Sequence, residues 1–249
     1  MLARMVIQLK CEDPNSFSIK KSSLMQGVLM EQLESEYVEN LHLGGWNPYS
    51  QFVEKREEQW YWIVNTLNQE AYEKILRPLQ APEFSRIYLE HGEQEIGIGE
   101  KKIESLPIDK LMSEFYSKDM PRFLDICFKT PTAFKRQGKY LFYPEIHCIY
   151  QNLMRKYSAV QNVGMNHEDT LEQLTENSQV IQYRLNSCYF YMEGIKVPAF
   201  MGRIRLKLTG PQTLVNFAHL LFRFGYYSGI GIKTSIGMGA VKILGEELG

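Results

Sequence analysis

The chain of 249 residues has few of the features that mark a redox, metal or membrane protein. It has only four cysteines, Cys11, Cys127, Cys148 and Cys188, far apart and without a C-x-x-C pair. That spacing supports neither a disulfide framework nor a thiolate zinc site, and leaves reduced core cysteines of the kind found in the cytosol. No apolar run approaches the roughly 18 residues of a membrane span, and no charged-then-apolar leader opens the chain. A cytoplasmic protein with no membrane partner is therefore expected. The five histidines are scattered and form no cluster with carboxylates, so no metal and no cofactor are expected. No glycine-rich loop stands between a strand and a helix, as binding of a nucleotide's phosphates would require. There is no overall excess of positive charge either, with 28 Lys and Arg against 29 Asp and Glu.

What is present is a polarised molecule. Residues 1–120 hold 13 Lys and Arg against 20 Asp and Glu, whereas residues 121–249 hold 15 against 9. The second half therefore carries the field a phosphate backbone would find attractive. A hydrophobic content of 44% is enough for a packed core, and the length allows one large domain or two ordinary ones.

The apolar pattern predicts strand 2–9, then a helix from about Ser22 with Leu24, Val28, Leu29, Leu33 and Tyr37 on one face. Gly44, Gly45 and Pro48 predict a loop that holds His42. Strands over 49–56 and 59–67 follow, then a short helix over 69–77 stopped by Pro78, then strand-like segments over 84–91 and 95–105. That order, β-α-β-β-α-β, is a ferredoxin-like unit. Residues 107–121 read as the boundary, after which the pattern starts again. A strand over 122–128 leads to a helix over 144–157 and a long hairpin over 180–192 and 199–208. A helix over 211–226 and a final strand over 240–244 complete the unit. The polar stretch 162–179 reads as a surface insertion with a short helix. The expected fold is α+β, tandem ferredoxin-like (RRM-like) domains at 1–115 and 121–249, although no sequence repeat is evident.

The most specific segment is Phe224–Leu244, FGYYSGIGIKTSIGMGAVKIL, in which two Gly-x-Gly pairs flank five residues that carry Lys233. A turn that merely packs tightly is the plain reading. The alternative is a loop whose N–H groups and cation face a phosphate chain. Three further stretches accompany it: Phe128–Pro144 (FKTPTAFKRQGKYLFYP), Phe200–Gly210 (FMGRIRLKLTG) with Leu220–Tyr227, and Leu24–Leu29 (LMQGVL) followed by Leu41 and His42. Together these segments resemble the RAMP superfamily, specifically the CRISPR repeat-RNA endoribonucleases. The likeness spans nearly the whole chain and is most specific after residue 120.

The resemblance implies a metal-independent endoribonuclease that cuts CRISPR precursor RNA within its repeats and releases guide RNAs. In that chemistry a 2′-hydroxyl attacks the adjacent phosphodiester, leaving a 2′,3′-cyclic phosphate and a 5′-hydroxyl, with a histidine as acid or base. His42 occupies the position of the family's catalytic histidine. The tyrosine and lysine that some members place beside it have no counterpart here, where helix residues 27–30 read GVLM and no lysine follows His42 until Lys55. Lys20, Lys21, Tyr37, Tyr49 and Lys55 are the candidates to assist. His147 and His219 lie in predicted helices and read as packing or surface residues.

RNA contacts are expected from the basic half: Lys129, Lys135, Arg136 and Lys139 around the mid-chain turn, and Lys233 with Gly229, Gly231, Gly237 and Gly239 in the terminal loop. Arg203, Arg205 and Lys207 alternate at period two on one strand face, expected beside that loop. Tyr140, Phe142, Tyr143, Tyr226 and Tyr227 can stack on bases or fill the core. The implied partner is the CRISPR precursor RNA, with no DNA expected; a CRISPR effector complex and a second copy of the chain stay open. The competing function is a non-catalytic RAMP subunit that holds guide RNA in such a complex, and the presence of His42 favours the enzyme.

Overall fold

The computed structural model describes residues 1–15, 17–89, 94–161, 168–192 and 194–245. The first half folds as β1 (Leu2–Lys10), α1 (Ser22–Glu31), α2 (Ser35–Leu43), β2 (Tyr49–Arg56) and β3 (Gln59–Thr66). A helical path then runs through α3 (Gln69–Ala71), a π turn (Tyr72–Leu76) and α4 (Arg77–Gln80) to β4 (Arg86–Leu89) and β5 (Gln94–Leu106). These strands form one antiparallel sheet in the order β2-β3-β1-β5-β4. Without the edge strand β4, that is the ferredoxin-like order.

The second half repeats the plan. After α5 (Ile108–Ser117) come β6 (Phe123–Thr132), a small β7–β8 ribbon (Phe134–Arg136 and Lys139–Leu141), α6 (Ile146–Gln161) and α7 (Glu168–Glu176). Then follow β9 (Ser178–Met192), β10 (Ile195–Leu208), α8 (Gln212–Ser228) and β11 (Val241–Ile243). The sheet order β11-β6-β10-β9 is the same permutation. The fold is tandem ferredoxin-like.

Period-two alternation gives each sheet one apolar face. Met5, Ile7, Trp62 and Val64 pack with Met25, Leu29 and Ile75, and Leu124, Ile126, Ile204 and Leu206 pack with Ile149, Leu153, Leu221 and Phe224. Each such side chain contributes about 1.5–3 kcal/mol on burial. The other face of the first sheet meets the second half. Phe52 and Ile63 pack on Ala240, the Ser50 hydroxyl donates to the Tyr227 carbonyl at 2.6 Å, and Glu54 pairs with Lys129.

Four local expectations are corrected. The first helix does not run on to Tyr37, because Glu34 is extended (φ −62°, ψ 135°) and starts a second helix. Leu33 and Tyr37 still join the same core, so the apolar spacing crosses the bend without recording it. His42 accordingly stands in the last turn of α2 rather than in a loop.

Pro78 does not end its helix. The π turn just before it lets the Arg77 N–H bond the Tyr72 carbonyl, which places Pro78 in the first turn of the next segment, where a proline has no needed N–H to lose. The supposed boundary 107–121 contains α5, whose Leu111 is buried in the second core and whose Phe115 ring meets Phe217 at 6.2 Å. His91, His167 and residues 162–167 of the expected insertion lie outside the described residues; the rest of that insertion carries α7.

Candidate active site and nucleic-acid interface

Ser22, at the start of α1, is fixed from the sheet. Its carbonyl accepts from Gln51 Nε2 at 2.8 Å and its hydroxyl from the Val53 N–H at 3.3 Å. Held in this way, α1 forms one wall of a cleft of about 380 Å³ lined by Ser23, Gln26, Gly27, Met30, Glu31, His42 and Tyr88. His42 is exposed there, and Gly44 caps its helix by donating to the Asn40 carbonyl at 2.9 Å. Tyr88, from β4, is 54% exposed and brings the cleft a second group with a transferable proton.

A larger cleft of about 700 Å³ lies between the halves. Gln26, Trp46 and Asn47 line it from the first half, and Arg155, Lys156, Lys233, Thr234 and Ser235 from the second. A third, of about 280 Å³, is lined by Lys135, Gln151, Asn152, Arg155 and Ile232. Gln26 is a wall of the first two clefts, and Arg155 and Ile232 are walls of the last two. The three thus adjoin one another in a row from the β7–β8 ribbon, past the glycine loop, to His42.

The glycine loop is a buried wedge rather than an open nest. The N–H groups of Ile230, Gly231, Ile232 and Gly239 bond Gly239 O, Asn152 Oδ1, Ala133 O and Pro131 O at 2.8–3.0 Å. Gly231 and Gly239 have positive φ, and a Cβ on either would lie 2.4 and 2.1 Å from a carbonyl oxygen. The loop offers the cleft the Lys233 side chain and the 3-10 turn Thr234–Ile236.

The other candidates separate. Tyr37 and Tyr49 are buried, and burial pushes each hydroxyl up to about 12. Tyr49 bonds Gln26 and Ser235, and so braces the junction of the clefts. Lys55 is exposed at the far end of β2, paired with Glu58 at 2.8 Å. Lys20 and Lys21 lie in the turn that enters α1. Lys21 bonds Gln94, and Lys20 lies 5.3 Å from the Tyr191 ring. None of these five lines the cleft that holds His42.

Lys129 is engaged by Glu54 across the interface, beside Arg56. Lys135, Arg136 and Lys139 are exposed on the ribbon, with Arg136 paired to Glu145 at 2.9 Å. The Arg203–Lys207 stripe does not lie beside the glycine loop. The loop packs on Phe190, Val197 and Ala199 near the hairpin tip. At about 3.3 Å per residue the stripe starts four residues farther along and runs away. Within it, Arg205 lies 3.7 Å from Asp125 and 5.3 Å from the Phe123 ring.

Phe142 and Tyr143 are exposed, whereas Tyr227 is core and Tyr226 stacks on Arg4. Sequence reasoning missed Tyr88, Gln26, Arg155 and the hairpin tip, where Tyr189 and Tyr191 stand exposed with Lys196 4.0 Å from the Tyr189 ring. The period-two tyrosines and the polar Gln151, Asn152, Arg155 face of α6 were the available signals. His219 is core, its Nε2 2.8 Å from the Pro121 carbonyl. Among the described residues, no three His, Cys, Asp or Glu side chains converge in a metal-binding set, and no helix is long and apolar enough to cross a membrane.

A family model described as CRISPR-associated endoribonuclease Cas6 matches residues 126–241. A CRISPR-associated endoribonuclease Cas6 of Streptococcus thermophilus is 39% identical over 219 residues, covering 87% of this chain and 88% of that protein. One from Mycobacterium tuberculosis is 30% identical over 220 residues, 88% of this chain and 70% of that protein. Among solved structures, a Cas6 product complex superposes with a TM-score of 0.78 at 22% identity, over 97% of this chain and 98% of that one. Thermus thermophilus Cas6 gives 0.75 at 18% identity, over 98% of both chains. Those two structures speak for the fold, and the streptococcal relative speaks for the family. On its sequence, the chain belongs to the Cas6 family of CRISPR-associated endoribonucleases.

Proposed function

We propose that this protein binds CRISPR precursor RNA along the three joined clefts and cuts it within each repeat at His42, without a metal ion. The observation that carries the reading is Gln26. Through it, a solvent-open histidine shares a wall with a groove that carries Arg155 and Lys233. The 2′-oxygen loses its proton and bonds to phosphorus, the bond to the 5′-oxygen breaks, and the departing oxygen gains a proton. A 2′,3′-cyclic phosphate and a 5′-hydroxyl result. His42 takes the first proton or supplies the second, because imidazole exchanges protons near neutrality. Tyr88 lines the same cleft and hydrogen-bonds the phosphate or the leaving oxygen, the task left without a residue by the GVLM stretch of α1.

Arg155 and Lys233, with Lys135 beyond them, hold phosphates by charge, and the Tyr189 and Tyr191 rings at the hairpin tip offer a stacking surface. The test is labelled repeat RNA incubated with excess protein in EDTA, with the product ends mapped. One cut near the 3′ side of the repeat, with a cyclic phosphate end, is expected. Activity that vanishes on chelation and returns with magnesium overturns the metal-free mechanism. Tight binding without any cut makes the chain a guide-holding subunit instead.

A further inference from the structure

Two polar side chains on one face of α6, four residues apart, grip the glycine loop. Asn152 makes a two-point contact with Gly231, accepting from its N–H at 2.8 Å and donating to its carbonyl at 3.3 Å. One helical turn on, the Lys156 ammonium donates to Ser228 O at 3.1 Å, Gly229 O at 3.0 Å and Thr234 Oγ1 at 3.2 Å. Its three hydrogens thus tie the last carbonyls of α8 to the start of the 3-10 turn. The stem borders the large cleft while the ammonium is enclosed, and no carboxylate is among its bonded partners. Burying a cation without a counter-ion is costly, and a hydrocarbon would fill the space more cheaply.

What the grip fixes is the opposite edge of the loop. There Ser235 Oγ accepts from Asn47 Nδ2 at 3.1 Å, and Ser235 also bonds Tyr49, which bonds Gln26. Asn47 follows His42 by five residues, and Gln26 is the wall shared with the His42 cleft.

We infer that Asn152 and Lys156 are positioning residues for cleavage, acting through the glycine loop on the segment that carries His42, an inference that rests on the endoribonuclease reading. They touch neither His42 nor the groups that line its cleft. Their effect is to fix where the 42–49 segment stands against the RNA track. Misplacement of about 1 Å is enough to cost a reaction of this kind up to about 10²-fold.

The test uses the full chain and four variants: Lys156→Met, Asn152→Ala, Asn47→Ala, and the Lys156→Met/Asn47→Ala pair. Three quantities are measured: backbone hydrogen exchange over 229–239 and 42–49, repeat-RNA affinity, and the single-turnover rate at saturating protein. Lys156→Met is expected to speed exchange in both segments and lower the saturated rate roughly 10–100-fold. Affinity should fall less than the saturated rate does, since the three hydrogens of the ammonium are already taken by Ser228 O, Gly229 O and Thr234 Oγ1. The paired variant should lose less than the product of the two single losses, because both act through Ser235.

Faster exchange confined to 229–239, an unchanged saturated rate, or fully multiplicative losses overturns the inference. If Lys156→Met fails to fold, Asn152→Ala removes only the Gly231 contact and carries the same measurements. If the wild-type chain does not cut RNA, the endoribonuclease reading falls. The exchange data then decide separately whether α6 holds the 42–49 segment.

Discussion

The Arg4 guanidinium of the first strand donates through Nη2 to the Tyr226 carbonyl at 2.5 Å and stands 3.3 Å from the Tyr226 ring centroid. A second donor, Nε, reaches Asn65 Oδ1 at 2.7 Å, and Glu104 lies at 3.9 Å. One buried side chain thus joins residue 4 to the end of α8, across the seam between the two halves. Arg4→Met keeps the length of the stem and removes these donors. It should destabilise the fold by about 2–3 kcal/mol, measured by urea unfolding. An unchanged midpoint would mean that the seam is held by its other contacts, the apolar ones around Phe52, the Ser50–Tyr227 hydrogen bond and the Glu54–Lys129 pair.

His42→Ala should slow single-turnover cleavage by roughly 10²–10⁴-fold, with repeat-RNA affinity near wild type, because an exposed imidazole contributes little to holding phosphate. Tyr88→Phe removes one oxygen from the same cleft and should cost about tenfold or more in rate. A wild-type rate in the Tyr88 variant would leave His42 without a partner from β4. A wild-type rate in the His42 variant would move the chemistry out of this cleft altogether.

Arg155→Ala and Lys233→Ala should each weaken RNA binding and flatten its log–log salt dependence by about one unit. Arg203→Ala and Arg205→Ala serve as the comparison, since their strand face leads away from the glycine loop. Should the comparison pair change the slope while Arg155 and Lys233 do not, the RNA crosses that open sheet face instead of the cleft track.

Much of this architecture was legible from alternation and turn chemistry, because strand period and helix caps are local properties. The hairpin over β9 and β10, α8 and the order of both ferredoxin-like units needed nothing more. What was not legible depended on residues distant in sequence. Leu33 and Tyr37 keep helical spacing across the break at Glu34, so the pattern could not report the bend that puts His42 on its own helix. Pro78 is harmless only because of the π turn before it. In the site, the resemblance supplied His42, but Tyr88 comes from an edge strand 46 residues later that no local signal connects to α2. Lys129 looked like an RNA contact by charge alone, and Glu54, 75 residues away, engages it.

Gly237 has φ of 112°, and a Cβ there would lie 2.3 Å from Ser22 Cβ. Ser22 is itself tied to the sheet, so neither side can move away cheaply. Gly237→Ala should cost about 2 kcal/mol or more in thermal or urea unfolding. Gly27→Ala is the counterpart within α1, where nothing lies within 4 Å of a new Cβ. It should raise stability by about 0.5–1 kcal/mol. A similar result for both would remove the close approach as the reason for glycine at 237.

Burial, with Arg155 nearby, pushes the Lys156 ammonium down to about 7 from the ordinary 10.5. Below pH 7 the folded protein bears the full cost of the enclosed charge. From about pH 7 to 10 the folded chain has released a proton that the unfolded chain keeps, so stability should rise with pH. The slope contributed by Lys156 is up to about 1.4 kcal/mol per pH unit. It is read as the difference between wild type and Lys156→Met in unfolding experiments across that range. A difference that falls with pH would mean that the ammonium is stabilised where it lies. The neutral amine has two hydrogens for three acceptors, so the grip on the glycine loop loosens as the fold becomes more stable.

Gln26 separates the groove of Arg155 and Lys233 from the cleft of His42 by the thickness of a single side chain, and Tyr49 and Ser235 brace it from behind. If RNA is held in the groove and cut in the cleft, as proposed, that fixed wall makes the protein a ruler. The scissile phosphate would then be selected by its distance along the strand from whichever nucleotide is seated at Arg155 and Lys233. Repeats whose bases differ at the cut, but whose anchoring nucleotides keep their spacing, should therefore be cut at the same interval. Adding one nucleotide between anchor and cut should move the break by one position along the RNA, leaving its place on the protein unchanged.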